Sequence, residues 1–141
     1  MRATIWIGET VMIGGILAAE AAPATPVSEA DTKRARQALE LHYIDRGIYS
    51  PVRCEAENGG EDEKRTWLFC YSVGGSGKIG GLYVAAYDAN GATNIFAVNG
   101  KAIQHIGRDG EIILHDENMG QIPAMRWRGP MLDIPAALAL F

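Results

Sequence analysis

The sequence lacks a run of 18 uncharged apolar residues, so no stable membrane-spanning helix is expected. It also lacks an excess of basic charge. Thirteen Lys and Arg stand against 17 Asp and Glu, and the net charge of −4 offers no basic field for nucleic acid. Cysteine occurs only twice, without the spacing of a zinc site. The remaining composition, 48% hydrophobic and 21% charged in 141 residues, is that of one globular domain.

The first 24 residues differ in composition from the rest of the chain. An arginine near the start precedes an apolar stretch at 11–19, and small-residue cleavage patterns end at Ala21 and Ala24. Glu9 departs from this pattern, because it places a carboxylate beside the apolar stretch. We predict that residues 1–24 form a cleaved export signal and that the mature protein is periplasmic or secreted. An uncleaved amphipathic anchor and a cytoplasmic N-terminal element are the alternatives.

The two cysteines lie in short runs, 52–57 and 65–73, that flank a polar, turn-forming loop. This arrangement predicts an antiparallel hairpin in which Cys54 directly faces Cys70, and we predict a disulfide between them. Such a bond encloses about 15 residues and contributes about 3 kcal/mol in the chain-entropy model. It also fits an oxidising compartment. Two buried free thiols in a cytosolic protein are the alternative.

A helix is predicted over residues 29–46. Ser28 and Asp31 have the spacing of a capping box, and Gly47 stands where a left-handed residue ends a helix. Between them, apolar and aromatic residues recur at helical spacing and form one buried stripe: Ala35, Ala38, Leu39, His42 and Tyr43. This placement makes His42 a packed, hydrogen-bonded residue rather than a metal ligand.

Turn signals divide the middle of the chain into strands. Asn90-Gly91 is the strongest of them, because a two-residue type I′ turn requires positive φ at both positions. Further turns are expected at Asn99-Gly100 and at 107–110. Besides the cysteine hairpin, the expected strands are 82–89, 93–98, 101–106 and 111–115.

The C-terminal residues carry Pro123, Pro130 and Pro135 and then an apolar end, so we expect an irregular wrap there. The predicted fold class is α+β. One N-terminal helix packs on an antiparallel β-meander of five to six strands, within a single domain over 28–141.

The glycine-rich segment 74–81 superficially resembles a phosphate-binding loop. The Walker pattern requires glycine where Ser72 stands and Ser or Thr where Ile79 stands, and it requires a helix where a strand is expected. We therefore expect a strand connection, with no nucleotide and no cofactor.

Two histidines, His105 and His115, fall on successive expected strands. A three-residue turn at 108–110 would place them on one face, beside Asp116 and Glu117, whereas a two-residue turn would separate them. A metal site needs the first register, and we predict none. No serine or cysteine has the setting of a nucleophile, so no catalytic residue is predicted. The remaining charges, at 33–36, 61–63 and 116–117, are interpreted as solvated.

Aromatic residues form the candidate interaction surface. A two-residue Asn90-Gly91 turn pairs Val84 with Ala97 and Ala86 with Ile95, which leaves the aromatic side chains of this hairpin on the face away from the helix. The first hairpin extends that face, and a tryptophan between two arginines resembles an interface anchor. The surface comprises Trp67, Phe69, Tyr71, Tyr83, Tyr87, Phe96 and Trp127. Either the C-terminal wrap, 125–141, or a partner must cover it.

The leading functional hypothesis is a small exported, disulfide-stapled domain that acts without catalysis. It would bind a protein or envelope partner, as inhibitors, immunity proteins and secretion accessories do. The alternative is a small-ligand or hydrolytic pocket on the curved sheet that uses His105 or His115. A purely structural envelope component is a third possibility.

Overall fold

The computed structural model describes residues 25–59, 65–75, 79–107 and 110–141. The predicted leader, 1–24, lies outside them. Within these ranges the elements follow the order α1 (Glu29–Asp45), β1 (Val52–Asn58), β2 (Thr66–Ser72), β3 (Gly80–Tyr87), β4 (Thr93–Ala97), α2 (Gly100–Ile106), β5 (Glu111–His115), β6 (Gln121–Arg126) and α3 (Ile134–Leu138). No helix of the described residues is both long and apolar enough to cross a bilayer.

One six-stranded sheet has the order β1-β2-β3-β4-β6-β5, and its neighbours are antiparallel except for the parallel pair β4 and β6. The predicted α+β class is therefore confirmed. Helix α1 contacts both edge strands, β1 and β5. Five strand spacings would separate those edges by about 24 Å in a flat sheet, about twice the diameter of a helix. The sheet therefore curves around α1.

Helix α1 begins and ends where the sequence predicts. The Ser28 hydroxyl accepts a hydrogen bond from the Asp31 backbone N–H, as in a capping box. The Tyr87 hydroxyl completes the cap, because it accepts from the Ser28 N–H and donates to the Asp31 carboxylate. At the other end Gly47 has φ +67°, a left-handed conformation that costs glycine little.

The first hairpin has the predicted register. Cys54 faces Cys70 with the Cα atoms 4.0 Å apart, and the two residues are joined by a disulfide. Both cysteines lie in the core under α1, whereas Trp67 and Phe69 of β2 point to the opposite face. The alternation of side chains along the two strands was thus enough to predict the cysteine pairing and which residues of the hairpin point towards α1.

The prediction of a strand over 101–106 is wrong, because these residues belong to helix α2. The Asn99 side chain caps this helix by accepting from the Ala102 N–H, and it also accepts from the Leu82 N–H of β3. Asn99-Gly100, for which the sequence predicts a hairpin turn, therefore forms the N-terminus of a helix.

The sixth strand is instead β6, in the segment where an irregular wrap was expected. Pro123 is tolerated there because it opposes Ile113 where β5 and β6 exchange no hydrogen bond, and because the pairing of β6 with β4 on its other side begins only at Ala124. The neighbouring turn shows which pairs of β5 and β6 are hydrogen-bonded. There the Asp116 N–H donates to the Gly120 carbonyl, and bonded and non-bonded pairs alternate from that point. β6 precedes Trp127, and only the residues after it form the expected wrap with the short helix α3.

The Asn90-Gly91 hairpin has a register one residue away from the predicted one. Tyr83 pairs with Ala97 and Val84 with Phe96, so the loop has three residues and not two. The Asp88 carboxylate stabilises this wider loop by accepting from the backbone N–H groups of Asn90 and Ala92. A one-residue shift moves each side chain to the other face of the strand.

The sheet therefore separates two apolar layers. The layer under α1 includes Leu39, Tyr43, Leu68, Tyr83, Ile95 and Ile122, all fully buried. The opposite layer contains Trp67, Phe69, Leu82 and Val84, and Ala137, Leu132, Ile134 and Phe141 of the C-terminal segment pack against it.

Candidate functional site

A groove runs between the first turns of α1 and the end of β1. Its volume of about 620 Å³ lies in the range of ligand-binding clefts. Helix residues line one wall and strand residues the other: Glu29, Ala30, Thr32, Lys33 and Arg36 oppose Ala56, Glu57 and Asn58, and Val27 lies at the end. The groove thus lies along β1, which is an edge strand of the sheet among the described residues.

The strand wall of this groove offers backbone hydrogen-bonding groups. Bonds between Val73 and Pro51 and between Gly59 and Arg65 show that odd-numbered residues of β1 pair with β2. Even-numbered residues therefore direct their N–H and C=O groups outwards. The Cys54 N–H is taken by the Glu40 carboxylate of α1 at 2.9 Å. The corresponding groups of Ala56 have no such protein partner among the described residues.

The helix wall carries two cations. Lys33 and Arg36 are one turn apart, and neither forms an ion pair within the described part of the chain. Their interpretation as solvated charges is compatible with this. Arg34 differs, because its guanidinium binds Asp116 at 2.8 Å and Asp31 at 3.2 Å on the other side of α1.

The interpretation of Asp116 as a solvated loop charge is wrong. It is 5% exposed, and its carboxylate accepts from the backbone N–H groups of Asn118 and Gly120 as well as from Arg34. The hydrogen bond from Arg34, with the two backbone donors, lowers the pKa of Asp116 below its usual value. Together with the Glu40 bond to β1, this contact ties α1 to both edges of the sheet.

The candidate aromatic surface is divided by the sheet. Trp67, Phe69, Tyr71 and Phe96 lie on the face away from α1, as predicted, and Trp127 packs against Phe96. Tyr83 and Tyr87 lie on the α1 face instead, because the register of the β3–β4 hairpin is shifted. Tyr83 is fully buried under α1, and the Tyr87 hydroxyl caps the N-terminus of α1. The predicted surface of seven aromatic residues therefore does not exist as one surface.

The C-terminal segment covers what remains of that surface. The Phe141 ring packs on Phe69 with centroids 5.6 Å apart, and Ala137 is buried against the same cluster. The Trp127 ring meets Phe96 edge to face, and its Nε1–H donates to the Pro130 carbonyl. The Arg65 guanidinium lies 5.8 Å from the centre of the Trp127 ring. Trp127 is thus part of this packed layer.

The two histidines of the alternative hypothesis lie on different elements. His105 is on α2, half-buried, and its Nδ1 lies 2.6 Å from the Tyr43 hydroxyl. His115 is exposed at the end of β5. Because His105 lies on a helix, the two alternatives for the turn at 108–110, which assumed that both histidines lie on strands, do not apply. His42 is hydrogen-bonded as predicted, through Nε2 to the His105 carbonyl oxygen.

Tyr43, Tyr83 and His105 form a polar cluster inside the layer under α1. The two tyrosine hydroxyls bond each other, and the Tyr49 ring packs against Tyr43 and His105. Burial raises the pKa of both Tyr43 and Tyr83. Burial also lowers the pKa of His105 to about 4, with a smaller effect from the positive charge of Lys101. At neutral pH this cluster is therefore uncharged.

Two further candidate sites are the metal site and the glycine-rich phosphate-binding loop. The described residues contain no group of three or more His, Cys, Asp or Glu side chains arranged to hold a metal ion. Of the glycine-rich segment, residues 76–78 lie outside the description, and strand β3 begins at Gly80, as the argument against a phosphate loop required. The carboxylates at 61–63 also lie outside it.

The groove itself was not predicted. Lys33 and Arg36 were identified only as a basic cluster on a helix, because neither the edge position of β1 nor its distance from α1 follows from local sequence. One signal was present: the face-to-face cysteine pair already implies outward backbone groups at Cys54 and Ala56. No family model, curated protein or solved structure matches the chain.

Proposed function

We propose that this protein is a small exported domain that acts without catalysis, by binding an extended segment of a protein partner along the edge of β1. The added segment would occupy the groove beside α1 and bond the outward N–H and C=O groups of Ala56. The position of these groups at an open sheet edge, beside a groove of about 620 Å³, is the observation that carries the proposal.

Two features support strand addition at this edge. The disulfide joins β1 to β2 at Cys54, two residues before Ala56, so the template strand is held in place. The Glu40 bond to Cys54 closes the edge on one side, which leaves Ala56 and Asn58 as the accessible stretch. The edge is therefore short, and a bound segment is limited to a few residues.

A displayed library of short random peptides, selected on the full chain, provides ligands for the test. Ala56→Pro removes one outward N–H and should weaken the selected peptides at least tenfold. Ile113→Pro is the matched control, because it removes an outward N–H from the other edge strand, β5. Equal weakening by both variants, or by neither, would overturn the proposal.

A second measurement does not depend on how the proline variant folds. In a bound strand, alternate amides face β1, so single N-methyl groups along a selected peptide should abolish binding at every second position. Uniform tolerance of N-methylation would show that the peptide does not bind as a strand.

Export is tested separately. N-terminal sequencing of the protein recovered from outside the cytoplasm should begin after Ala21 or after Ala24, and alkylation without reductant should find no free thiol. Recovery of the intact N-terminus from the cytoplasm would contradict the export part of the proposal.

A further inference from the structure

We infer that the segment bound along β1 carries acidic side chains at alternate positions, facing Lys33 and Arg36, and a basic side chain between them, facing Glu57. The inference rests on the proposed strand addition and specifies the chemistry of the partner's segment. It follows from which charges lie on each face of the sheet edge.

An added strand continues the pleat of β1, so its side chains alternate between the two faces of the sheet. On β1, the side chains of Cys54 and Ala56 lie on the α1 face. Glu57 pairs with Trp67, whose ring belongs to the opposite layer, so its carboxylate lies on that opposite face. Each face therefore presents its own charges to the segment.

On the α1 face, the centre of the groove is cationic. Lys33 and Arg36 line it without an ion-pair partner among the described residues. Glu29 lies one turn earlier, and the Glu40 carboxylate is engaged by the Cys54 N–H. The two cations are separated by a rise of about 4.5 Å along the helix, whereas alternate strand residues are about 6.7 Å apart. Long, flexible basic side chains span that difference.

On the opposite face, β1 presents Arg53, Glu55 and Glu57, and the two residues nearest the groove are acidic. Glu57 is exposed and lines the groove. Glu55, two residues earlier, accepts from the Tyr71 hydroxyl at 2.7 Å and is already engaged. A residue of the segment placed between the two acidic positions points to this face, where a lysine or arginine pairs with Glu57. The preferred pattern is therefore acidic, basic, acidic.

The test compares two labelled synthetic peptides by fluorescence anisotropy. The first has the sequence Thr-Val-Glu-Lys-Glu-Val-Thr, and the second has the same length with inverted charges, Thr-Val-Lys-Glu-Lys-Val-Thr. At about 50 mM NaCl the first should bind about fivefold more tightly, the effect expected of a few exposed ion pairs. At about 500 mM NaCl the two affinities should converge.

The double variant Lys33→Glu, Arg36→Glu should reverse the preference. Lys101→Glu, Arg126→Glu is the matched control, because it makes the same change in charge at exposed positions away from the groove, and the preference should persist. Equal affinities for the two peptides overturn the charge pattern. If alternate N-methylation still abolishes binding in that case, strand addition itself stands. Failure of both peptides to bind, while peptides selected from the random library bind at the β1 edge, overturns the charge pattern alone; failure of the selected peptides as well overturns both proposals.

Discussion

His105 is one of two histidines, with His42, whose pKa is lowered by burial, so pH should act on this protein there. Its Nδ1 lies 2.6 Å from the Tyr43 hydroxyl, so a neutral ring with its proton on Nε2 accepts a hydrogen bond from Tyr43. Protonation of Nδ1 would replace that acceptor with a second donor. Desolvation already disfavours the charged ring and lowers the pKa of His105 from 6.5 to about 4.

The sign of the pH dependence follows. Between pH 6.5 and pH 4 the unfolded chain binds a proton at His105 more readily than the folded protein does. The free energy of unfolding is therefore full above pH 6.5 and falls as the pH falls through this window. Because His105 is only half-buried, we expect a loss of about 1 kcal/mol between pH 7.5 and pH 5. Denaturant titrations at the two pH values measure it.

The matched variants for this prediction are His105→Phe and His115→Phe. His105→Phe retains an aromatic ring against Tyr49 but does not titrate, so it should lose less stability on acidification than the native chain. His115→Phe is the control, because it makes the same substitution at an exposed position. If His105→Phe shows the full native dependence, another group is responsible.

Gly81 is required by the polar cluster beneath α1. A Cβ atom at this position would lie 2.5 Å from the Tyr43 hydroxyl oxygen and 3.0 Å from the Tyr83 ring. Gly81→Ala should therefore reduce the free energy of unfolding by about 1–3 kcal/mol through overpacking. Gly100→Ala is the control, because a Cβ there meets nothing within 4 Å, and its thermal midpoint should stay near that of the native chain. A benign Gly81→Ala would mean that the two tyrosines do not approach Gly81 as closely as described.

At the scale of elements, Asn99 joins α2 to β3. Its amide accepts from the N–H groups of Ala102 and Leu82 and donates to the Gly80 carbonyl. Asn99→Ala leaves all three groups without this partner, so we expect a loss of about 2–3 kcal/mol in the free energy of unfolding. Urea denaturation is the measurement.

Asn90→Ala makes the same chemical change in the exposed Asn90-Gly91 loop, where the Asn90 side chain bonds to no described residue. It should cost less than about 0.5 kcal/mol. Equal costs at the two asparagines would refute the bridging role of Asn99.

These two asparagines show why only some elements were predictable. Both precede glycine, and local sequence predicts a turn at each of the two pairs. Asn99 caps a helix because its side chain reaches β3, a contact 17 residues away along the chain. Helix α1 and the cysteine hairpin were predicted with nearly correct bounds, because their caps, stripe and pairing are local. β6 was missed because Pro123 argues against a strand unless its pairing phase is known.

The same limit applies to the candidate site. Tyr83 and Tyr87 were assigned to the wrong face because one loop residue decides the register of a hairpin. Predicting the groove requires knowledge of the tertiary structure, namely that β1 is an edge strand along which α1 lies. Local patterns identified the strand at 52–57 and the charges at 33–36 as separate features, but only the curved sheet brings them together.

For the molecule as a whole, the C-terminal segment is a layer of the core. Phe141 packs on Phe69, whereas Met131 in the same segment is 98% exposed. Phe141→Ala should lower the free energy of unfolding by about 2 kcal/mol, and Met131→Ala should change it by less than about 0.5 kcal/mol. Thermal or urea unfolding distinguishes them.

Deletion of residues 129–141 extends this test. It uncovers Trp67, Phe69 and Val84 together, so the shortened chain should unfold or aggregate near room temperature. A stable, monomeric product would show that another surface, and not this segment, covers the aromatic layer.

The pairing order of the sheet also affects synthesis. Strands β1 to β4 pair with their sequence neighbours, so these four of the six strands are complete once residue 98 is available. β6 can join β4 only after α2 and β5 have been made, and Phe141 arrives roughly 40 residues later, after about 2–8 s of translation. During that interval α1 already covers one face of the nascent sheet, while the aromatic face is open to water. A holding chaperone would therefore bind the emerging chain at Trp67 and Phe69.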